Sequence, residues 1–325
     1  MDAEESPRDQ PVSPMAAEEA PRIVHVDPTP PRFPLVTNLV RLLRVHQWVK
    51  NLLVFTPVLA AHAMRDPRSV RAAILAFVAF SLCASGIYIV NDIYDLEADR
   101  HHSQKRRRPL AAGDVSVPVA VVVAVPLVAT GAAISWALSP QVFRLIGFYV
   151  TLSLAYSYVL KELALVDVLT LAGLYTLRVL VGGAAARIEL SPWLLAFSMF
   201  LFISLAIVKR VSELRDVRDK RQEGMRRRGY SAADLEVLSI VGVAAGQMAV
   251  LVLALYIQSE NVVHLYRRPD VLWLLCVVMF YWIARVWLKL YRGEMNQDPV
   301  VYALRDGGSY AAGLSALVIA YIASR

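Results

Sequence analysis

The chain has 325 residues, of which 57% are apolar and only 19% charged, with a mean hydropathy of +0.48 and a formal net charge of +7. These values exclude a soluble globular enzyme and leave room for many bilayer-spanning stretches, each needing about 20 residues. The basic residues collect at the ends of apolar runs, so the positive charge does not imply nucleic-acid binding.

Residues 1–34 are rich in Pro and Glu and poor in apolar side chains, which predicts a disordered tail; the basic start and apolar core of a secretory signal are missing. Nine spans are predicted beyond it, over 36–62, 70–91, 115–137, 141–160, 164–186, 192–210, 235–259, 270–290 and 308–324. Together they make one all-α transmembrane domain, 35–325. Nine crossings put the termini on opposite faces. Most of the 34 Lys and Arg then share the face of the N-terminus, which the positive-inside tendency makes cytoplasmic. Its two long loops, 100–114 and 211–234, are basic, and Gly224 and Gly229 make the second either a flexible lid or an ordinary connector. The second and sixth spans both end in charged helical motifs, a weak echo of a duplicated four-helix unit. Cys83 and Cys276 both fall inside apolar spans, which predicts neither a disulfide nor thiol chemistry.

In the first span Gln47, Lys50 and Asn51 are spaced i, i+3, i+4, one face of an α-helix. Lys50 either snorkels to the interface or lines a polar cavity in which the two amides orient a sugar or phosphate. Trp48 reads as an interfacial anchor and His46 as a packing or interfacial residue.

The second span runs into Asn91-Asp92-Ile93-Tyr94-Asp95-Leu96-Glu97-Ala98-Asp99. Asp92, Asp95 and Asp99 are spaced i, i+3, i+7, with Asn91 one turn from Asp95. A solvated acidic helix end has the same spacing, but spare charge is expensive at the end of a membrane span. Three carboxylates on one face repel unless a cation sits among them, and oxygen-only donors suit Mg²⁺. Arg100 and Lys105-Arg106-Arg107-Arg108 follow. This run either reports topology or neutralises a diphosphate, with Lys105 and Arg106 the preferred contacts; Arg107 and Arg108 equally suit anionic lipid.

The fourth span ends Tyr156-Ser157-Tyr158 and is followed by Lys161; the fifth begins near Asp167 and carries Arg178 eleven residues on, nearly the same face. An Arg this deep needs a partner or a watery cavity, and Asp167 is too far along the helix to pair with it directly. A structural ion pair is one reading; an anion cavity shared by Lys161 and Arg178 is the other. The sixth span ends with Lys209, Arg210 and Glu213. Lys209 and Glu213, at i, i+4, make either a helical salt bridge or a phosphate contact beside a ligand to metal-bound water. Asp298 and Arg305-Asp306 are candidate rim residues.

The NDxxDxxxD signature closing the second of nine spans resembles the UbiA superfamily of intramembrane prenyltransferases, and the resemblance covers 36–325. It implies a helical bundle around a central cavity, a Mg²⁺–diphosphate held at the cytoplasmic end, and a lateral opening for a polyprenyl chain. The metal ligands would be Asp92, Asp95 and Asp99 with Asn91. Most members carry a second, DxxxD-type motif; here the corresponding stretch is Lys209-Arg210-Val211-Ser212-Glu213. HQWVKN, KRRRPLAAGDV and this KRxxEL stretch look most like the decaprenyl-phosphate phosphoribosyltransferase branch. That branch implies transfer of 5-phosphoribose from phosphoribosyl pyrophosphate to a polyprenyl phosphate, feeding arabinose donors for cell-wall glycans. The donor carries a diphosphate and a separate phosphate, and Lys50, Lys161, Arg178, Lys209 and Arg210 exceed what one metal-bound leaving group requires. An already ionised phosphate acceptor needs no strong base, and in-line attack inverts the anomeric carbon. The resemblance implies the inner membrane of a bacterium, with room for a homo-oligomer. Two other readings stay open: a prenyltransferase alkylating an aromatic or lipid acceptor, and a transporter or lipid-binding protein with charges along a polar path.

Overall fold

The computed structural model describes residues 34–101, 105–219, 229–295, 299–303 and 305–325. The expected tail, Gly224 and Asp298 lie outside the described residues. Every regular element among those described is a helix.

The first element, α1 (Leu35–Leu43), exposes Val36 and Val40 and buries Asn38 and Leu42. It stops at Arg44, whose backbone is left-handed at φ 50°, ψ 44°, a conformation costing a residue with a Cβ about 1–2 kcal/mol. The chain continues as an 11-residue 3₁₀-helix, Val45–Phe55, and then a 5-residue helical turn, Thr56–Ala60. At ~2.0 Å and ~1.5 Å per residue respectively, the two pieces extend roughly 30 Å, the thickness of a bilayer's hydrocarbon core.

An α-helix was expected over 36–62, and the 3₁₀ turn changes which residues share a face. With three residues per turn, Trp48, Asn51 and Val54 form one stripe and Gln47 and Lys50 another. Asn51 therefore leaves the face it was expected to share with Lys50. Asn51 and Val54 are buried, and Trp48 donates from its indole N–H to Ser85 Oγ at 3.0 Å. The neighbouring helix approaches this stripe so closely that a Cβ on Gly182 would fall on the Val54 carbonyl. Only glycine fits there.

The longer helices are α2 (Pro67–Tyr94), α3 (Val117–Leu138), α4 (Pro140–Tyr158), α5 (Val166–Ala186), α6 (Pro192–Asp219), α7 (Leu235–Ile257), α8 (Trp273–Tyr291) and α9 (Gly307–Ser324). Among the described residues, seven are long and apolar enough to cross a membrane: α2, α3, α5, α6, α7, α8 with the 3₁₀ turn before it, and α9. Of the other two expected spans, the first is broken as above, and α4, which carries Arg144, falls short of that apolarity. Val122, Val277 and Leu317 point outward, each at least 65% exposed, as a lipid-facing surface requires.

Two apolar clusters meet along α5. One joins Val54, Phe80, Cys83, Ile146 and Tyr149 to Leu177 and Val181 of α5; the other joins Ile207, Val211, Leu238, Ile283 and Trp287 to its Val168. Small residues set the helix spacing: a Cβ on Gly131 of α3 would lie 2.7 Å from the Ala79 carbonyl of α2. The charged ends of α2, α4 and α6 are thereby gathered at one end of the bundle.

Candidate active site

The α2 helix ends at Tyr94, Asp95 caps it, and a further helical turn runs Leu96–His101. The register passes through this pause, because the Asp95 N–H donates to the Asn91 carbonyl at 2.9 Å and the Asp99 N–H to the Asp95 carbonyl at 2.8 Å. Asp92, Asp95 and Asp99 consequently stay on one side. With Asn91, they line a cavity of about 660 Å³. Asp92 and Asp99 are each 3% exposed at the side chain and Asp95 33%.

Cations converge on these carboxylates from four directions. Arg44 bonds Asp92, its left-handed backbone aiming the guanidinium inward over the Tyr88 ring, 5.2 Å from the centroid. Arg108 donates from one nitrogen, Nη1, to both Asp92 Oδ1 at 3.0 Å and Asp99 Oδ2 at 2.5 Å. Lys105 Nζ lies 3.7 Å from Asp99 Oδ1, and Lys161 Nζ 4.0 Å from Asp95 Oδ1. Lys209 lines the cavity too, as do Glu162 and Glu213. Five basic and five acidic side chains thus balance around it.

Lys209 also lines a second, smaller cavity of about 70 Å³, whose wall includes Lys50 and Tyr175. One lysine therefore borders both spaces, the first rich in carboxylates and the second mostly apolar but carrying another lysine.

Several residues singled out in the sequence stand behind these walls. Arg210, 2% exposed at its side chain, bonds Asp167, and donates to Glu213 Oε2 at 2.6 Å and to the Tyr156 hydroxyl at 2.8 Å. The Tyr230 hydroxyl donates to Asp167 Oδ1 at 2.5 Å and accepts from the Leu165 N–H at 2.7 Å. Arg210 and Asp167 line neither cavity, yet they fix Glu213 and Tyr156, which line the larger one. Arg178 donates from Nε to Asn51 Oδ1 at 2.9 Å and from Nη1 to the Leu174 carbonyl at 2.5 Å. Its guanidinium lies 4.9–5.3 Å from the centroids of Phe80, Tyr149 and Tyr175. Asn51 in turn donates to Ser81 Oγ at 2.9 Å. Arg178 and Asn51 are therefore parts of the bundle's interior, apart from either cavity.

Gln47 and Tyr158 also lie off both cavity walls. Tyr158 packs edge-on against Tyr94, 4.5 Å between centroids, and is 39% exposed. In the basic run Lys105 lines the cavity as expected, but Arg108 takes the place expected for Arg106. Arg106 is exposed, while Arg108, just past the 3₁₀ turn Lys105–Arg107 and held beside buried Pro109 and Leu110, points back into the cavity. Arg44, Tyr88 and Glu162 line the cavity without having been singled out in the sequence, and Arg108 was matched equally to anionic lipid. Arg44 gave no signal because its position was expected to be mid-helix.

Among the described residues no three His, Cys, Asp or Glu side chains converge as a ready-made metal cage. Mg²⁺ rarely needs one, since it takes one or two carboxylates together with substrate phosphates and waters. Asn91 Oδ1 is buried here with no hydrogen-bond partner, at a cost of about 1–3 kcal/mol unless a ligand supplies one. That orphaned oxygen beside Asp92 and Asp95 completes an all-oxygen donor set, and the set fits Mg²⁺ arriving with a diphosphate.

Among the described residues, seven helices long and apolar enough to cross a membrane, with a charged cavity at one end of the bundle, mark a multi-pass membrane protein. The chain belongs to the UbiA prenyltransferase family, whose profile matches residues 52–305. It is 36% identical over 267 residues to the nodulation protein NoeC of Azorhizobium caulinodans, covering 82% of this chain and 86% of that protein. To protein y4nM of Sinorhizobium fredii it is 37% identical over 272 residues, 83% of this chain, and spans only 53% of that protein's length. To the decaprenyl-phosphate phosphoribosyltransferase of Mycobacterium tuberculosis it is 40% identical over 190 residues, 57% of this chain and 63% of the relative. The fold is similar to that of a UbiA homologue from Archaeoglobus fulgidus bound to DMAPP and Mg²⁺, with a TM-score of 0.64 at 16% identity over 88% of this chain and 99% of that one.

Proposed function

We propose that the protein transfers 5-phosphoribose from phosphoribosyl pyrophosphate to a polyprenyl phosphate, with Mg²⁺ and with release of pyrophosphate, for arabinose-donor synthesis. The observation that carries this reading is Lys209 bordering both cavities. The donor has two anionic groups separated by a sugar, and the site offers two positions separated by one side chain. A prenyl diphosphate has only one such group.

Asp92, Asp95 and Asp99, with Asn91, hold the metal, and Arg44, Lys105, Arg108 and Lys161 meet the diphosphate. Lys50 and Lys209 take the 5-phosphate. Arg210 and Asp167 hold Glu213 and Tyr156 in place, while Arg178 and Asn51 fix the segment that carries Lys50. Arg106, Tyr158 and Gln47 belong to the approach rather than the grip. Bound Mg²⁺ offsets the charge of the departing pyrophosphate. The acceptor phosphate oxygen is already ionised, so no side chain has to deprotonate it.

In this reading Val45–Ala60 and α4 both cross the bilayer, giving nine crossings in a bacterial inner membrane. The cavity and the N-terminus then face the cytoplasm, where the donor is found, and the acceptor's chain enters from the lipid.

The test is a donor competition on protein in lipid nanodiscs with Mg²⁺. Radiolabelled phosphoribosyl pyrophosphate plus polyprenyl phosphate is expected to give labelled lipid and pyrophosphate. Product from a prenyl diphosphate plus 4-hydroxybenzoate instead would establish the alkylating prenyltransferase. Flux without pyrophosphate release would establish a transporter.

A further inference from the structure

The geometry points to Arg108 as a resident cation that occupies the place between Asp92 and Asp99 until a metal–diphosphate arrives, and then moves onto the diphosphate. One guanidinium nitrogen already bonds both carboxylates. A divalent ion ligated by Asp92 and Asp99 together would have to take that same place. The metal and Arg108 therefore compete for it.

The charge balance decides the competition. Buried carboxylates are costly unless paired, and here Arg44, Lys105 and Arg108 already pair Asp92 and Asp99. A bare divalent ion gains little, because it must displace a guanidinium that already bonds both carboxylates. A diphosphate changes this by bringing its own negative charge into the cavity. Its oxygens match the planar fork of an arginine, which binds phosphate through paired hydrogen bonds. After the exchange the metal sits on the carboxylates and Arg108 on the phosphate, and every charge is still paired.

Arg108 is the side chain free to make this exchange. It is 28% exposed along the cavity, and among the described residues its side-chain hydrogen bonds run to the two carboxylates. Arg44, also on Asp92, is held by its left-handed backbone and the Tyr88 ring. The consequence is an order of binding: the metal enters with its diphosphate and is not stored beforehand. Asn91 Oδ1, unpartnered and buried, gains its partner at the same moment. The inference rests on the cavity being a diphosphate site, and not on which group that diphosphate carries.

The test uses the full chain in nanodiscs, Mn²⁺ as the metal probe read by electron paramagnetic resonance, and pyrophosphate as the unreactive ligand. In the wild-type protein Mn²⁺ should bind at least about tenfold more tightly with pyrophosphate than without it. In Arg108→Gln the pyrophosphate-free affinity for Mn²⁺ should rise about tenfold, while the affinity for pyrophosphate falls by a similar factor. Arg108→Lys, which keeps the charge and loses the fork, should lie between, and it carries the same comparison if Arg108→Gln does not fold. Two affinities that stay unchanged, or that fall together, would make Arg108 a structural prop and overturn the exchange. Equal Mn²⁺ binding with and without pyrophosphate in the wild type would do the same. A successful exchange in a protein that fails the phosphoribosyl-transfer assay would refute that reading and leave this one standing.

Discussion

Arg178 on α5 and Asn51 on the 3₁₀ segment are joined by a 2.9 Å hydrogen bond in the interior of the bundle. Among the described residues the partners of this buried cation are neutral: an amide, a carbonyl and three aromatic faces. Cation–π contacts of a desolvated guanidinium are worth up to about 2 kcal/mol, and an orphaned buried amide costs about 1–3. Arg178→Leu should therefore lower stability by roughly 2–4 kcal/mol, read as a drop in Tm in detergent. A raised donor KM at unchanged Tm would instead assign Arg178 to the substrate.

Lys50 lines the smaller cavity with Lys209. Lys50→Ala should raise the KM for the phosphorylated donor by about tenfold or more while leaving that for the lipid acceptor nearly unchanged. Steady-state kinetics against each substrate in turn checks it, and an unaltered donor KM would place Lys50 outside the site.

Asp92 is 3% exposed and bonded by both Arg44 and Arg108. Asp92→Asn keeps the shape and removes the charge, so Mg²⁺-dependent turnover should fall by at least ~100-fold in protein that still elutes as a folded species. Near-normal turnover would dismiss the metal assignment.

Much of this site was legible in the sequence, and the limits of that legibility have physical causes. The acidic face was readable because two backbone hydrogen bonds carry the α-helical register through Asp95. The membrane helices were readable because apolar length is a property of composition. The 3₁₀ segment was not, since Gln47 and Lys50 share a stripe at either periodicity and only Asn51 changes sides. Gly182 would have signalled the close approach only if its neighbour were known. Arg108 was hidden among four consecutive basic residues that differ only in where the following turn aims them. The Asp167–Arg210 pair joins residues 43 positions apart, a relationship no local spacing encodes.

Burial, then the hydrogen bond to Asp167, holds the Tyr230 hydroxyl above the ordinary phenol range. An unfolded phenol ionises near pH ~10. The stability this group contributes is thus complete below about pH 10 and is lost as pH rises from there through the higher folded value. Denaturation midpoints should fall on going from about pH 9 to 11, and less steeply in Tyr230→Phe. Parallel pH profiles in the two proteins would contradict the assignment.

Stereochemistry offers an independent check. Direct in-line attack by the acceptor phosphate predicts a product whose anomeric configuration is opposite to the donor's, readable from the coupling constants of the isolated lipid sugar. Retention would require a covalent intermediate and would refute single displacement.

Under the proposed topology, Val45–Ala60 is a drawn-out first crossing, and that has a mechanical consequence. Helices α2 and α6, with 28 residues each, adapt to a thicker bilayer by tilting less. Val45–Phe55 has less slack, because its 3₁₀ backbone already rises ~2.0 Å per residue against the ~1.5 Å of an α-helix. Under the proposed function, added acyl length should therefore be felt first by the stretch that bears Lys50, coupling lipid chain length to donor binding.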